Sequence, residues 1–442
     1  MKRIADRAVK IALDEGAETA EVSVISNNQF SVTVRNEKTE NLTESGSNRI
    51  GITLSSDKRK SSATSSDLSE SGIRQLIREA VELSSVMDRD EYFGLPDEDE
   101  LGVVKTELDL FDPESIGIPA EKKRAIAFDL ERIAKGSDKR IISDGASFSS
   151  GIYSSTYANS LGFCEGYRQT FNSIDISCAV EDLQKEGENK GKKQSSYWFS
   201  SSGSFAGLAP VEEVAFTAVK RTLRKLGAVK PETCEVPVIF DPVTARGFLA
   251  SIASAVNGGN IYKRSSFLAD MKGKEISSPL VTIIDDPLMP GRLGSMPYDS
   301  EGVRARKNTV VEKGILLTWL LSSYQARKLS LQTTGNAGGI SNFYMEKGDS
   351  PVEEIISSID NGLFLTSMSG PGANVSNGDF SQGGQGIWIN NGELTYPVNE
   401  FTIAGTFSRI LSGIVMVADE LEWMTSIASP AFKIDNITIS GK

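Results

Sequence analysis

The sequence predicts an α+β protein in which an N-terminal α/β region with antiparallel sheets, residues 1–230, precedes a C-terminal β-rich domain, residues 231–442. In the first region, helical patterns lie between runs in which apolar and polar residues alternate with period two, as in half-exposed antiparallel strands. Beyond residue 235 the helical pattern is confined mainly to 242–256 and 352–361, and short strands between Gly, Asn and Asp turns dominate. The second domain is therefore predicted to be an antiparallel, barrel-like structure.

The N-terminal region begins with a predicted helix from Ile4 to Glu15, whose apolar residues recur at helical spacing. The strand-like runs "TAEVSVISN", "QFSVTVRN" and "RIGITLSS" follow, and a second helix begins near Asp67, its predicted N-cap. The segment 95–119 is acidic and contains several prolines, so we interpret it as a linker. This segment leaves open whether residues 1–230 form one subdomain or two.

The remainder of this region continues the same alternation. A helix "AEKKRAIAFDLERIAKG" ends at Gly136, strands are predicted from 140 to 197, and a helix "PVEEVAFTAVKRTLRKLGA" follows. Between the strands and that helix lies the basic, Ser-rich segment 189–204, "NKGKKQSSYWFSSSGS". It is interpreted either as a contact for an acidic or phosphate-bearing partner or as a solvated turn, and the turn is favoured.

In the C-terminal domain the clearest strands are "VTIIDDP", "GILLTWLLSS", "GQGIWINNGELTYPV" and "FKIDNITISG", and "NNGE" is a hairpin turn signal. The domain opens with a helix for which Asp241 is the predicted N-cap and Pro242 the first residue. Its predicted interior is apolar and comprises Phe248, Leu249, Ile252, Ala253 and Val256.

Composition excludes several classes of protein. The net charge of −12 and the absence of a long Lys/Arg cluster oppose binding to phosphate backbones, so no nucleic-acid partner is expected. The N-terminus lacks the apolar core of a signal peptide, and no apolar run approaches the roughly 20 residues that span a bilayer. We therefore expect a cytoplasmic protein without a membrane partner. Cys164, Cys178 and Cys234 are interpreted as buried free thiols.

The chain contains no histidine. Ser-His-Asp and Cys-His catalysis and zinc sites of the HExxH type are thereby excluded. Carboxylate pairs, Ser-Lys pairs and carboxylate-bound magnesium remain as alternatives, but no such group stands out in the sequence.

Two further segments invite a binding interpretation. The Gly-rich tract 369–388 contains neither GxGxxG nor GxxxxGK[ST], and no helix is predicted after it, so tight β packing is favoured over a phosphate loop. Asp285 and Asp286 end a predicted strand and could hold a cation. An Asp-Asp-Pro sequence is also common at turns, and the turn is favoured.

Several motifs together carry a resemblance to a known family. "GDFSQGGQGIWINNGELTYPVNEFTIAG" at 378–405, "TGNAGG" at 334–339 and the terminal "KIDNITISG" resemble signatures of the TldD/PmbA family, also labelled peptidase U62 or modulator of DNA gyrase, in its PmbA (TldE) branch. The order of the other elements is similar as well, over essentially the whole chain. The resemblance implies an α+β region joined to a β-rich domain, assembly as dimers, and peptide proteolysis.

The resemblance also implies where a metal would lie. TldD-type members carry HExxxH on the first helix of the C-terminal domain and a cysteine near the C-terminus, which together hold a catalytic zinc. At the matching positions this chain has Ser251, Ile252 and Val256, and its tail from Glu422 onward has no cysteine. These side chains are unsuited to zinc, so no catalytic residue and no cofactor are predicted in this chain. Zinc is expected in a TldD-like partner.

The resulting expectation is a non-catalytic, PmbA/TldE-like subunit of a cytoplasmic zinc metallopeptidase that acts on peptides or unfolded segments. Its partner would be a TldD-like zinc subunit in a heterodimer, or a second copy of itself in a homodimer. The alternative is a stand-alone, non-enzymatic homodimer that binds peptides or a protein. An extended peptide could be held by strand addition along the Gly-rich stretch. The residues proposed to line it are Gly378, Asp379, Phe380, Ser381, Gly383 and Gly384.

Overall fold

The computed structural model describes residues 1–183 and 191–442. Its N-terminal half is built on one six-stranded antiparallel sheet with strand order β3-β2-β1-β4-β5-β6. The strands are β1 Thr19–Arg35, β2 Lys38–Ser56, β3 Arg59–Ser65, β4 Ile142–Asn159, β5 Cys164–Glu181 and β6 Lys193–Ser202. The α-helices of this half are α1 Lys2–Asp14, α2 Glu70–Ser85, α3 Pro113–Gly117, α4 Ala120–Ser137 and α5 Val211–Leu223.

One face of this sheet is covered by two pairs of helices, each on a different part of the face. Side chains from alternate positions of β1, among them Val22 and Val24 near its start and Val32 and Val34 near its end, are fully buried. The first pair packs with α1 and α2, and the second with α4 and α5. The single strand β1 therefore contributes to two hydrophobic clusters, because its period-two apolar face is interrupted in the middle by Ser26 and Asn28.

The C-terminal half contains two sheets. Its strands are β7 Cys234–Phe240, β8 Ile283–Asp285, β9 Asn308–Glu312, β10 Ile315–Leu316, β11 Phe343–Met345, β12 Asn361–Ser369, β13 Ala373–Asn374, β14 Asp379–Asn390, β15 Glu393–Thr406, β16 Ile414–Val417, β17 Ile427–Ala428 and β18 Phe432–Ser440. Its α-helices are α6 Pro242–Ala255, α7 Gly258–Tyr262, α8 Ser323–Leu329, α9 Val352–Ser357 and α10 Phe407–Ser412.

The larger sheet closes on itself. The pairings run β7-β18-β15-β14-β12 and return to β7, and β13 and β16 pair alongside. The smaller sheet has the order β10-β9-β8-β11-β17. Helix α6 contacts strands of both sheets and buries Phe248 among the rings of Phe240, Phe380, Phe407 and Phe432.

The predicted α+β class and the barrel-like C-terminal domain are confirmed. One feature differs from the prediction: β7 and β12 pair in parallel, so the barrel is not purely antiparallel. A parallel pair requires a long connection between its strands, and this one runs through α6 and four of the five strands of the smaller sheet. The predicted boundary at 230/231 stays a prediction.

Several local predictions were wrong. "TAEVSVISN" and "QFSVTVRN" form the single strand β1, and the N-cap of α2 is Ser69, whose side chain accepts from Gly72 N. "GILLTWLLSS" leaves strand geometry after Leu316, because Leu320 instead exchanges backbone hydrogen bonds with the end of α6. The second predicted C-terminal helix ends at Ser357.

The acidic segment 95–119 packs against the C-terminal half. Gly102 N donates to Gly302 O at 3.1 Å, Val104 N donates to Pro297 O at 3.2 Å, and Leu108 O accepts from Gly291 N at 2.8 Å. The predicted linker is thus tied by its backbone to the C-terminal half along much of its length.

The basic segment 189–204 is mostly an edge strand. Its first two residues lie outside the described residues, and Lys193 to Ser202 form β6. Lys192, just before the strand, pairs with Glu400 (Nζ to Oε1 2.8 Å). The three cysteines are free, but only Cys178 is buried, and Cys164 and Cys234 are partly exposed. Within the described parts of the chain, no helix is long and apolar enough to cross a membrane.

Candidate functional site

Helix α6 begins as the sequence predicted. The carboxylate of Asp241 accepts from Thr244 N at 2.8 Å, and Pro242 takes the first helical position, where a missing N–H costs nothing. Asp241 is almost fully buried and pairs with Arg221 of α5 (Oδ2 to Nη1 3.3 Å). Burial raises the pKa of the Asp241 carboxyl, and Arg221 opposes that rise. The N-terminal end of α6 is therefore anchored to the N-terminal half by a buried ion pair.

The positions that match HExxxH lie at the other end of α6. Ile252 and Val256 are fully buried in the apolar cluster of the C-terminal half, and Ser251 is partly exposed. An isoleucine and a valine offer no donor atom, and a serine hydroxyl is a poor zinc ligand. The residues here therefore do not fit the zinc that the family resemblance implies. Nor do the described residues elsewhere bring three or more His, Cys, Asp or Glu side chains into a metal-binding group.

The six proposed lining residues occupy different environments along β14 and its preceding turn. Gly378 has a φ of +83° and is packed against Phe267, which explains a glycine at this turn. Phe380 is 1% exposed and belongs to the aromatic core around Phe248. Asp379 and Ser381 are exposed, so their side chains are accessible to a ligand.

The remaining two glycines are explained by packing. A Cβ on Gly384 would lie 2.2 Å from the ring of Phe401, and one on Gly383 would approach Ser369. Strand β14 is hydrogen-bonded to β12 and β13 on one edge and to β15 on the other. A peptide strand therefore has no free edge to join on β14, although it can still contact the exposed side chains.

The "TGNAGG" motif is held by two buried carboxylates. Asp285 accepts from Asn336 Nδ2 and from Ser341 N, both at 2.7 Å, and Asp299 accepts from Ala337 N at 2.9 Å. Burial raises the pKa of Asp285 to about 6 and that of Asp299 to about 7. Asp285 thus organises a loop, which agrees with the favoured interpretation of this position as turn chemistry. The partnership with Asp299 was not visible in the sequence.

A Ser-Lys contact also exists, although none stood out in the sequence. Lys123 Nζ of α4 donates to Ser150 Oγ of β4 at 2.9 Å, and both residues are buried beside a cavity of about 290 Å³. Burial lowers the pKa of Lys123. A hydrolase would also need donors for an oxyanion. The amide of Asn172, opposite Ser150 on β5, instead donates to Ser115 at 2.8 Å, so the pair does not carry a catalytic assignment.

A cavity with a polar lining lies between the two halves of the chain. This interdomain cleft has a volume of about 470 Å³ and is bounded by β6, α5, the start of α6 and the ends of β12 and β14. Its lining includes the cations Arg221, Lys225 and Arg246, together with Gln382 of the Gly-rich stretch. The sequence patterns did not reveal this cleft. The signal was the "KRTLRK" run of α5, whose basic residues recur at helical spacing.

Comparisons with known proteins agree with this architecture. Family models for the PmbA/TldA metallopeptidase domain 1, central domain and C-terminal domain match residues 20–84, 113–226 and 233–441. A Metalloprotease PmbA homolog from Haemophilus influenzae is 34% identical over 98% of this chain and 94% of its own length.

Two further similarities are to a TldD-type protein and to a solved structure with the same fold. A Metalloprotease TldD homolog from the same organism is 26% identical over 73% of this chain and 72% of its own length. A crystal structure from Bacteroides thetaiotaomicron that bears the name modulator of DNA gyrase superposes with a TM-score of 0.93 at 27% identity, covering 100% of this chain and 99% of that one. The chain therefore belongs to the PmbA/TldD metallopeptidase family and is of the PmbA/TldE type.

Proposed function

We propose that this chain is a non-catalytic subunit of a cytoplasmic zinc metallopeptidase that cleaves peptides or unfolded segments, with a TldD-like zinc protein as its partner. The observation that carries the proposal is the set of side chains at the HExxxH positions: Ser251 and Val256 stand where the two histidines would be, and the buried Ile252 stands where the glutamate would be. With no histidine in the chain, rotamer changes cannot supply the missing imidazoles.

Family membership and the relatives support the partner. Haemophilus influenzae has both a PmbA homolog and a TldD homolog that resemble this chain. A protein that keeps the family fold but lacks the metal ligands is suited to holding substrate while a related subunit supplies the zinc. The exposed side chains of Asp379 and Ser381 are proposed to contact the peptide. Phe380 and Gly384 are proposed to support this surface from beneath.

The test is a reconstitution. The purified chain is analysed for zinc and for cleavage of an unfolded polypeptide, first alone and then mixed with the TldD-like protein from the same organism. We expect no stoichiometric zinc and no cleavage alone, and cleavage at least about tenfold above that of the partner by itself in the mixture. A partner in which both histidines of HExxxH are replaced is the control and should give an inactive mixture.

The alternative, a stand-alone peptide-binding homodimer, predicts a different result. Cleavage by the TldD-like protein would then be unchanged by this chain, and size-exclusion chromatography would show two copies of this chain and no mixed species. Stoichiometric zinc with activity in the isolated chain would overturn both descriptions.

A further inference from the structure

The interdomain cleft contains more positive charge than the protein neutralises. Arg221 is satisfied, since it pairs with Asp241 and its Nη2 donates to Thr366 O at 2.9 Å. Arg246, one turn into α6, differs: its Nη1 is buried and has no hydrogen-bond partner. Its guanidinium lies 5.6 Å from the ring centre of Phe199. An unpaired buried guanidinium N–H is costly unless a ligand accepts from it.

The neighbouring charges define what kind of acceptor fits. Lys225 Nζ donates to Ser195 O at 2.6 Å, and burial next to Arg221 and Arg224 lowers the pKa of Lys225 to about 8. Two carboxylates lie near these cations. Asp241 is already paired, and Glu422 interacts with Arg246 without forming an ion pair. Because these carboxylates offset part of the positive charge, the cleft suits a single negative charge better than a phosphate dianion.

The walls of the cleft suit the end of a peptide chain. Tyr197, Phe199 and Met368 provide apolar surface beside the cations, and the volume of about 470 Å³ accommodates a few residues. Strand β6 is the last strand of its sheet and, among the described residues, pairs only with β5. An edge strand can bind extended peptide backbone by strand addition, which β14 cannot.

We propose that the interdomain cleft binds the C-terminal carboxylate of a peptide, which accepts from Arg246 while the preceding residues lie along β6. Planar guanidinium groups match carboxylates in a bidentate manner, so Arg246 is the principal donor. Gln382 brings the Gly-rich stretch to the same cleft. The ligand class rests on the proposed function, because only there is the substrate a peptide.

The test uses the full chain alone and calorimetric titration with defined probes. An N-acetylated tetra-alanine with a free carboxylate is compared with its carboxamide and with a carboxamide peptide that carries one internal aspartate. We expect the free acid to bind at least about tenfold more tightly than either amide, since a hydrogen bond to a charged group contributes that much. Inorganic phosphate at the same concentration should not displace the free acid.

Variants locate the interaction. Arg246→Met should reduce affinity for the free acid to that for the carboxamide, and Arg246→Lys should restore part of it. Arg132→Met is the matched control, because Arg132 lies on the exposed face of α4 and, within the part of the chain that the structure describes, pairs only with Asp129; it should bind like the wild type.

Equal affinities for acid and carboxamide, no binding of the free acid, or full affinity in Arg246→Met would overturn the proposal. The comparison of the peptides on the wild-type protein tests the proposal even if a variant fails to fold. Tight binding of the aspartate peptide would overturn the assignment to a chain end, and displacement by phosphate would overturn the assignment to a carboxylate. If the chain binds the free acid but the reconstituted complex shows no activity, the result would count against the proposed partnership and not against the carboxylate site.

Discussion

The two ends of α6 differ in chemistry although they belong to one helix of 14 residues. At its beginning, Asp241 is buried in an ion pair with Arg221, and Arg246 faces the interdomain cleft. At its end, Ile252 and Val256 contribute only apolar packing. The difference teaches that the helix is held in place by its cap and its aromatic face, so the fold does not depend on metal ligands at its end. In this chain the polar chemistry lies at the opposite end from the family's zinc positions.

The largest effect is expected at the polar end. Asp241→Ala removes the N-cap and leaves Arg221 buried without its carboxylate, so the free energy of unfolding should fall by about 4 kcal/mol. The urea midpoint of the tryptophan fluorescence change measures this. Asp379→Ala, at an exposed aspartate, is the control and should change it by less than about 0.5 kcal/mol. Similar losses in both variants would show that the ion pair does not anchor α6.

At the apolar end the loss should come from a cavity. Ile252→Ala removes a fully buried side chain and should cost about 3 kcal/mol, whereas Ser251→Ala, one residue earlier and partly exposed, should cost less than about 0.5 kcal/mol. Thermal melting of both variants checks the contrast. A destabilised Ser251→Ala together with an unaffected Ile252→Ala would reverse the assignment of the packing face.

A half-buried carboxylate, Glu21, which has no ion-pair partner among the described residues, provides a second comparison with Asp241. Glu21 accepts from Tyr157 Oη at 2.8 Å, and burial, with Glu301 nearby, raises its pKa to about 7. The folded state therefore binds more protons than the unfolded state above pH 4.5, so this contribution to stability is complete at low pH and is lost as the pH rises through 7. Between pH 5.5 and 8 the loss amounts to about 2 kcal/mol.

Urea titrations of the wild type and Glu21→Gln at these two pH values test this. Asp299 and Asp285, whose pKa values are also raised, contribute in the same direction in both proteins and cancel in the difference. The wild type should lose about 2 kcal/mol more than the variant on going to pH 8. An equal loss in the two proteins would contradict the assignment.

Apart from the controls, the smallest effect is expected for Arg246→Met. Among the described residues Arg246 forms no ion pair and its Nη1 has no hydrogen-bond partner, so its removal breaks no ion pair and stability should change by less than about 1 kcal/mol in either direction. Thermal melting of the variant and the wild type without ligand measures this change in stability. A loss as large as that of Asp241→Ala would mean that Arg246 acts as a structural cation rather than as a free donor.

The start of α6 was predicted well, because an N-cap residue and a proline at the first helical position can be recognised within four consecutive residues of the sequence. The apolar face was also predicted, because Phe248, Leu249 and Ile252 follow helical spacing. The prediction failed for "GILLTWLLSS", where bonds to the distant end of α6 override an apolar run.

The cleft required three-dimensional information as well. Arg221 and Arg246 belong to helices on either side of the predicted boundary, and Trp198 and Phe199 come from the edge of a third element. The sequence shows each of these residues but does not show that they lie close together in the folded protein. The contact of Lys123 with Ser150 was hidden for the same reason.

The closure of the barrel has a consequence for synthesis. Strand β18 lies between β7 and β15, so the ring of strands is incomplete until the chain has been made through Ser440. The six-stranded sheet and its helices are complete by Leu223 and can fold while the ribosome is still translating the rest. Strand β7 can pair with β12 before then, but its other edge stays unpaired until β18 is made. A nascent chain stalled before β18 should therefore be the species that chaperones and proteases recognise.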